Sequence, residues 1–135
     1  MVHTLSPTAH ATILAAAAAA APDEACGLLF GTGHHVRSAV RTANVHPEPR
    51  HRFEIDPAAL IAAHKAAREG GPALLGYWHS HPGGRPEPSA TDRAAASGDG
   101  RIWAIAAAGV VRLWIDRPEG FEPRPYGLAY GLDEG

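Results

Sequence analysis

Residues 74–92 read LLGYWHSHPGGRPEPSATD, and this stretch decides what fold and chemistry the chain is expected to have. The apolar run 74–81 is typical of a β-strand. The Pro- and Gly-rich segment 82–88 is typical of a loop. A short helix is predicted over 89–97, where Gly98 ends it.

Three side chains of this stretch can act as metal ligands. Residues i and i+2 of a strand point to the same face, so His79 and His81 present two imidazoles side by side. The loop can turn the chain back, and Asp92 then adds a carboxylate. Two His and one Asp leave the fourth position of a tetrahedral zinc site to water, which is the catalytic pattern. With Pro82 and Ser89 included, this spacing arises by chance roughly once in ten thousand chains of this composition.

Ser89 and Asp92 also match a helix-capping box, Ser-x-x-Asp at a helix start. Capping alone leaves the paired histidines unexplained. A capping role for Ser89 and a metal role for Asp92 are compatible with each other.

A site that activates water needs a proton acceptor. Glu24 is a candidate, because it stands at the entry to the apolar run CGLLF at 26–30. Taken alone, a Glu just after an alanine-rich helix is more often a solvated helix terminus.

The rest of the chain mixes predicted helices and strands. Helices are expected over 7–21, begun by Ser6 and Pro7, and over 57–69, capped by Asp56. Strands are expected over 26–30, 34–42, 101–107 and 110–115, with one edge strand near 125–126. Such a mixture in one chain predicts an α/β or α+β fold with helices on a central sheet.

Composition narrows the function classes. The chain has 135 residues with 45% apolar residues, but 28 of them are alanine, which suits one compact core. The net charge is −2, so no basic field draws nucleic acid or an anionic membrane surface. A single cysteine rules out an internal disulfide, a thiolate zinc cluster and the cysteine pair of a zinc nucleobase deaminase. No stretch is long and apolar enough for a membrane span, and we expect a cytoplasmic protein.

The quoted motifs resemble the JAMM (MPN-plus) family of zinc metallopeptidases. That family's pattern is an upstream Glu, then His-Ser/Thr-His-Pro, seven residues from the second His to a Ser, and Ser-x-x-Asp. Here 82–88 fill the seven positions before SATD at 89–92. The stretch EACGLLFG at 24–31 resembles the family's Glu-x-Cys-Gly-Leu-Leu segment. A further likeness to small prokaryotic members lies in Asn44, in FEIDP at 53–57 and in GYW at 76–78.

The likeness covers about residues 5–130. It implies an α/β fold, an α-β-α sandwich with a mixed central β-sheet (the JAMM/MPN fold). It implies that residues 1–135 form a single JAMM/MPN metallopeptidase domain.

The resemblance also implies a zinc-dependent hydrolase. One Zn²⁺ per chain would be held by His79, His81 and Asp92, with water as the fourth ligand. Glu24 would take the proton of that water and return it to the leaving amine. Ser89 would hydrogen-bond the oxyanion of the reaction.

Compact prokaryotic members act at the C-terminus of ubiquitin-like or sulfur-carrier proteins, so the implied partner is such a protein with a Gly-Gly-type tail. The bond type (isopeptide, linear or amino-acid adduct) and the oligomeric state stay open. The alternative on the same fold is a non-catalytic MPN-type scaffold or interaction domain. A DNA-associated relative is disfavoured by the acidic charge balance.

Other conspicuous residues receive ordinary interpretations. Arg85 is interpreted as a solvated charge, although a substrate contact is the alternative. His51 and Arg52 could line a substrate groove, but exposure alone accounts for them. Cys26 is expected to be a small buried strand residue. The tryptophans are expected in the core, at positions 78, 103 and 114.

Overall fold

The computed structural model describes residues 2–129 of the chain. Within that span, three helices and eight strands follow one another along the sequence. They are β1 (His3–Leu5), α1 (Pro7–Ala20), β2 (Cys26–Thr32), β3 (His35–Thr42), α2 (Pro57–Arg68), β4 (Ala73–Ser80), α3 (Ala90–Ala95), β5 (Ile102–Ala107), β6 (Val110–Arg117), β7 (Gly120–Arg124) and β8 (Tyr126–Leu128).

The described strands form one mixed sheet in the order β7-β6-β5-β4-β2-β3-β1-β8. Short turns join β2 to β3, β5 to β6 and β6 to β7, and these pairs are antiparallel, as tight hairpins require. β4 and β5 are parallel, because the connection through α3 is long enough to cross over. The predicted mixed sheet is therefore confirmed.

Helix α1 begins where its sequence signals predict. The Ser6 hydroxyl accepts a hydrogen bond from the Ala9 N–H, and Pro7 occupies the first turn. One side of the helix, including Ala9, Ile13 and Ala16, is buried against the sheet. Alanine suits this position because small side chains let the helix lie close to the strands.

The two faces of β4 have different neighbours. Trp78 is fully buried in the core that α1 covers. Tyr77 and His79 point to the other face, because side chains alternate along a strand. Phe53 stacks on His79 there, and α2 starts at Pro57 shortly after it. Helices thus lie on both faces of the sheet, which confirms the expected sandwich.

The structure differs from the predicted elements at the edges. β1 and β7 were not predicted, and the edge strand expected near 125–126 is β8. Only Pro125 separates β7 from β8, although these strands occupy opposite ends of the sheet order. The sheet therefore curls until its two edges approach each other, and the Tyr126 hydroxyl donates to the Val111 carbonyl across them.

Helix α3 is shorter than predicted. It stops at Ala95 rather than at residue 97, because the buried Asp116 carboxylate on β6 accepts the N–H groups of Ser97 and Gly98. Those two donors are thereby taken out of the helical pattern. No helix among the described residues is long and apolar enough to cross a membrane.

Candidate active site

The end of β4 brings two histidines together. His79 lies on the strand and is fully buried, while His81 follows the strand and is half-buried. Their Nε2 atoms are 3.0 Å apart. The His81 N–H still donates to the Ala106 carbonyl of β5, which extends the ladder and holds His81 beside His79. The end of β4 therefore places His79 and His81 on the same face of the sheet, as predicted.

Asp92 joins the two histidines from the first turn of α3. Its Oδ2 atom lies 3.0 Å from the Nε2 atom of both rings. The same oxygen accepts the Ser89 N–H at 3.0 Å, and the Ser89 hydroxyl accepts the Asp92 N–H at 3.0 Å. The capping box is therefore complete, and it fixes the carboxylate that faces the histidines. Capping by Ser89 and a ligand position for Asp92 coexist.

The hydrogen bonds around the site show which atoms offer lone pairs. His81 Nδ1 lies 2.8 Å from the Arg85 carbonyl oxygen, which can only accept, so Nδ1 carries the proton. Without an ion, a proton on the Nε2 atom bridges it to the Asp92 carboxylate; when that proton leaves, Nε2 carries the lone pair that a metal ion requires. Such a hydrogen bond from the second nitrogen is how metal-ligating histidines are commonly oriented.

This donor set fits a metal ion such as zinc. Two imidazole nitrogens and one carboxylate oxygen converge here, each 3.0 Å from the other two. Ligands of a tetrahedral zinc ion are about 3.3–3.6 Å apart, so a shift of a few tenths of an ångström would place these three atoms around one ion. The Nδ1 atom of His79 is buried and without a hydrogen-bond partner in the described structure, so the polar contacts of that ring are all made through Nε2.

The pKa values of the three groups reflect their burial and the hydrogen bonds between them. Burial lowers the pKa of His79 and keeps its ring neutral. Burial pushes the pKa of the Asp92 carboxyl upward, but hydrogen bonds with His79 and His81 outweigh it and hold that pKa well below its usual range. For His81, contacts with Asp92 and the Arg85 carbonyl outweigh burial and raise the pKa.

Glu24 lies beside this cluster, just before β2. Ligand atoms of Glu24, His79 and His81 lie within 4.8 Å of one another, and these three residues also form a candidate metal-binding group. The side chain is buried, and burial raises the pKa of its carboxyl to about 7, with Asp92 adding to the rise and His81 opposing it. A carboxyl with that pKa can both accept and release a proton near neutral pH.

The segment that carries Glu24 is fixed by contacts that the sequence did not predict. Ser80, between the two histidines, accepts the Ala25 N–H through its hydroxyl at 2.8 Å, and its own N–H donates to the Ala25 carbonyl. Asn44 donates to the Glu24 carbonyl at 3.0 Å. No local sequence pattern predicts these contacts. The one available signal is that Asn44 is the only Asn or Gln in the sequence.

Aromatic rings enclose the buried histidine. Phe53 stacks on His79 with ring centroids 4.3 Å apart, and Trp103 meets His79 edge-on at 5.6 Å. Trp103 is buried, as expected, but it belongs to the wall of the site rather than to the core under α1. Such a wall keeps water from one side of the site and lowers the local dielectric.

A cleft of about 420 Å³ opens onto the site. Its floor includes Glu24, His81 and Ser89, and its rim includes Arg50, His51, Arg85 and Glu87. A larger groove of about 700 Å³ runs over β6 and the 85–87 loop, but none of the candidate ligands lines it. The candidate catalytic residues therefore line the cleft of about 420 Å³ and not the larger groove.

The other residues singled out from the sequence lie in ordinary surroundings. Cys26 is fully buried on β2, as expected. The Arg85 side chain is 86% exposed and 4.0 Å from Glu87, so a solvated charge at the rim of the cleft describes it. His51 lines the same cleft.

The fold and site together define a JAB1/MPN-type domain: an α-β-α sandwich with two histidines at the end of a central strand and an aspartate on the helix that follows. A JAB1/MPN domain protein from Archaeoglobus fulgidus shares this fold, with a TM-score of 0.65 at 20% identity over 95% of this chain and 98% of that one. The chain belongs to the family described as prokaryotic homologs of the JAB domain, whose model matches residues 6–117.

Further relatives share parts or all of the chain. It is 39% identical over 88 residues to the desampylase of Haloferax volcanii, and 42% identical over 72 residues to a probable TtuB-protein conjugate cleaving protease of Thermus thermophilus. These matches span 64% and 53% of this chain, but only 63% and 48% of those proteins. A Desulfitobacterium hafniense protein solved in solution aligns with a TM-score of 0.83 at 29% identity, over 99% of this chain and 97% of that one.

Proposed function

We propose that residues 1–135 form one zinc peptidase domain that hydrolyses a peptide or isopeptide bond at the C-terminus of a ubiquitin-like or sulfur-carrier protein. The observation that carries the proposal is the triangle of His79 Nε2, His81 Nε2 and Asp92 Oδ2, with 3.0 Å on every side and the Glu24 carboxyl next to it. The names of the Haloferax and Thermus relatives, a desampylase and a conjugate cleaving protease, support this substrate class.

The proposed zinc ligands are His79, His81 and Asp92, one ion per chain, with a water in the fourth position. Asp92 is preferred to Glu24 as the third ligand, because its oxygen lies 3.0 Å from both imidazole nitrogens. The pKa values also favour Asp92 as the ligand. The pKa of its carboxyl is held low, so the group is ionised, whereas the pKa of the Glu24 carboxyl is raised to about 7. Zinc bound there would supply a Lewis acid and an acidified water.

Glu24 is the proposed general base and acid. Its carboxylate oxygen would accept a proton from the attacking water and then deliver that proton to the leaving amine. Burial raises the pKa of this carboxyl to about 7, which suits both transfers at neutral pH.

Ser89 is the proposed donor to the developing oxyanion. Its Oγ atom already accepts the Asp92 N–H, and this bond uses a lone pair rather than the hydroxyl proton. The proton stays available to donate into the cleft. The capping bond therefore orients the hydroxyl and makes it a preorganised donor.

The cleft favours a slender substrate segment. It runs between residues 50–51 and the loop after β4, and its floor is formed by the proposed catalytic groups. A tail of small residues such as Gly-Gly would present its last carbonyl to these groups with few side-chain atoms to accommodate. The free, buried Cys26 requires no oxidising compartment, in keeping with a cytoplasmic protein.

The test uses a ubiquitin-like carrier extended by a few residues past its Gly-Gly terminus. The chain should release the extension, and both a chelator and His79→Ala should abolish release. Cleavage that survives the chelator would refute the zinc mechanism. Stoichiometric zinc binding without cleavage of linear, isopeptide or amino-acid-adduct substrates would favour the non-catalytic scaffold.

A further inference from the structure

Asn44 uses its entire hydrogen-bonding capacity next to the proposed site. Its Nδ2 group donates to the carbonyl oxygens of Glu24 and Arg52, each at 3.0 Å. Its Oδ1 atom accepts the N–H groups of His46 at 3.1 Å and Glu54 at 3.0 Å. Two donors and two lone pairs are all that a carboxamide has. The partners also fix its orientation, because a flipped amide would lose all four bonds.

Two of these bonds hold the peptide groups on either side of Phe53. The Arg52 carbonyl belongs to the peptide before Phe53, and the Glu54 N–H belongs to the peptide after it. Held at both ends, Phe53 presents its ring to His79 at a centroid distance of 4.3 Å and an interplanar angle of 20°. The placement of this ring therefore depends on Asn44.

A third bond holds the backbone of Glu24. Glu24 precedes β2 and has no place in the sheet ladder, so its two backbone polar groups need other partners. The N–H donates to the Pro49 carbonyl at 2.7 Å, and the carbonyl accepts from Asn44. Pro49 belongs to the same 45–54 loop that Asn44 closes. The loop and the proposed base are thus joined through one side chain.

We infer that Asn44 is a positioning residue, which sets Glu24 and Phe53 at fixed places relative to His79. The expected effect on catalysis rests on the proposed function, whereas the placement of Glu24 and Phe53 does not. No other side chain type of this size serves, because an aspartate would set a carboxylate oxygen against two carbonyl oxygens. An alanine would take the side-chain partner from four backbone groups, of which those of Glu24 and His46 are partly buried and less open to water.

The test compares Asn44→Asp and Asn44→Ala with the control His46→Ala. The His46 ring accepts the Glu48 N–H within the same loop, so its loss removes one loop bond without touching Glu24 or Phe53. Zinc affinity is measured by competition with a chromophoric chelator. Turnover is measured as kcat and KM on the extended carrier, with all values expressed per folded molecule.

Both Asn44 variants should bind zinc roughly 10-fold more weakly, since the packing of His79 is loosened. They should also lower kcat roughly 10- to 100-fold, with a smaller change in KM, because the base is misplaced. His46→Ala should change neither quantity by more than about 3-fold. Equal losses in His46→Ala, or wild-type zinc affinity and kcat in the Asn44 variants, would overturn the inference.

A spectroscopic measurement separates this inference from the proposed function. Because Asn44 is the only carboxamide in the sequence, its NH₂ group gives a single assignable pair of ¹⁵N–¹H resonances. This pair should exchange with solvent much more slowly than a free carboxamide, in the wild type and in His46→Ala alike. Fast exchange refutes the role of Asn44, whether or not the protein cleaves any carrier. Slow exchange with weakened zinc binding in the variants supports it even if the substrate assignment fails.

Discussion

Replacing Gly27 with alanine tests how closely β2, β3 and Trp78 approach each other beneath the site. An added Cβ would lie 2.0 Å from the Val40 carbonyl oxygen and 2.4 Å from Trp78 Nε1. Real contacts of this kind are no shorter than about 3 Å, so the strand or the indole must move by roughly 1 Å. The strand and the indole are both closely packed, so moving either of them costs packing contacts and lowers the stability of the fold.

The magnitude follows from two contributions. Overpacking a filled core costs about 1–3 kcal/mol. The indole of Trp78 also donates to the Val40 carbonyl at 3.3 Å, and losing that bond costs about 1 kcal/mol. Gly27→Ala should therefore lower the free energy of unfolding by about 2–4 kcal/mol, a large share of the stability of a small domain.

The assay is urea unfolding followed by tryptophan fluorescence. Gly127→Ala is the matched control, because nothing lies within 4 Å of an added Cβ at that position on β8. The control should stay within about 0.5 kcal/mol of the wild type. A Gly27→Ala protein as stable as the control would refute the packing described for β2.

Three further predictions concern stability, pH and the cap of α3. Asp116→Asn should lower the free energy of unfolding by about 1.5–3 kcal/mol, because one of two N–H groups held by the buried carboxylate loses its acceptor. Burial, with smaller electrostatic contributions from the neighbouring His34 and Arg124, lowers the pKa of His3 to about 4. Between pH 4 and about 6.5 the unfolded chain therefore binds a proton at His3 that the folded chain does not bind. Stability should therefore fall as the pH drops from about 6.5 to 4, and His3→Gln should flatten that fall. Ser89→Ala should cost about 1 kcal/mol of stability and lower kcat, whereas Ser89→Asp should restore the cap but not kcat.

Controls separate each effect from general damage. Asp99→Asn changes a carboxylate near the surface and should cost less than Asp116→Asn, so equal losses would contradict the buried role. If the stability of His3→Gln falls with pH as steeply as that of the wild type, His3 is not the group responsible. Full turnover in Ser89→Asp would show that the hydroxyl proton is not needed.

The sequence predicts those features that depend on neighbouring residues. Ser6 and Pro7 mark the start of α1, and the turn at Ala108 and Gly109 lies between the strands predicted over 101–107 and 110–115. The alternation along β4 places His79 and His81 on one side, and the capping spacing brings Asp92 to them. Each of these depends on contacts within a strand, a turn or one helical turn.

Features that depend on distant residues could not be predicted in this way. The end of α3 is set by Asp116, about twenty residues further on, and β1 has three residues whose pairing depends on β3 and β8. The contacts of Asn44 with Glu24 and Phe53's neighbours join segments that only the folded chain brings together. A resemblance in motifs predicts which residues form the site, but it does not predict the hydrogen bonds that position them.

The central claim is that Glu24 moves the proton while two histidines and Asp92 hold the metal. Zinc stoichiometry and carrier cleavage should therefore be measured together on the wild type and on Glu24→Gln. The account predicts one zinc per chain in both proteins, and a loss of turnover of about 10²- to 10⁴-fold in the variant. Loss of zinc in Glu24→Gln would make Glu24 a ligand instead, and full turnover in a zinc-loaded variant would contradict the account outright.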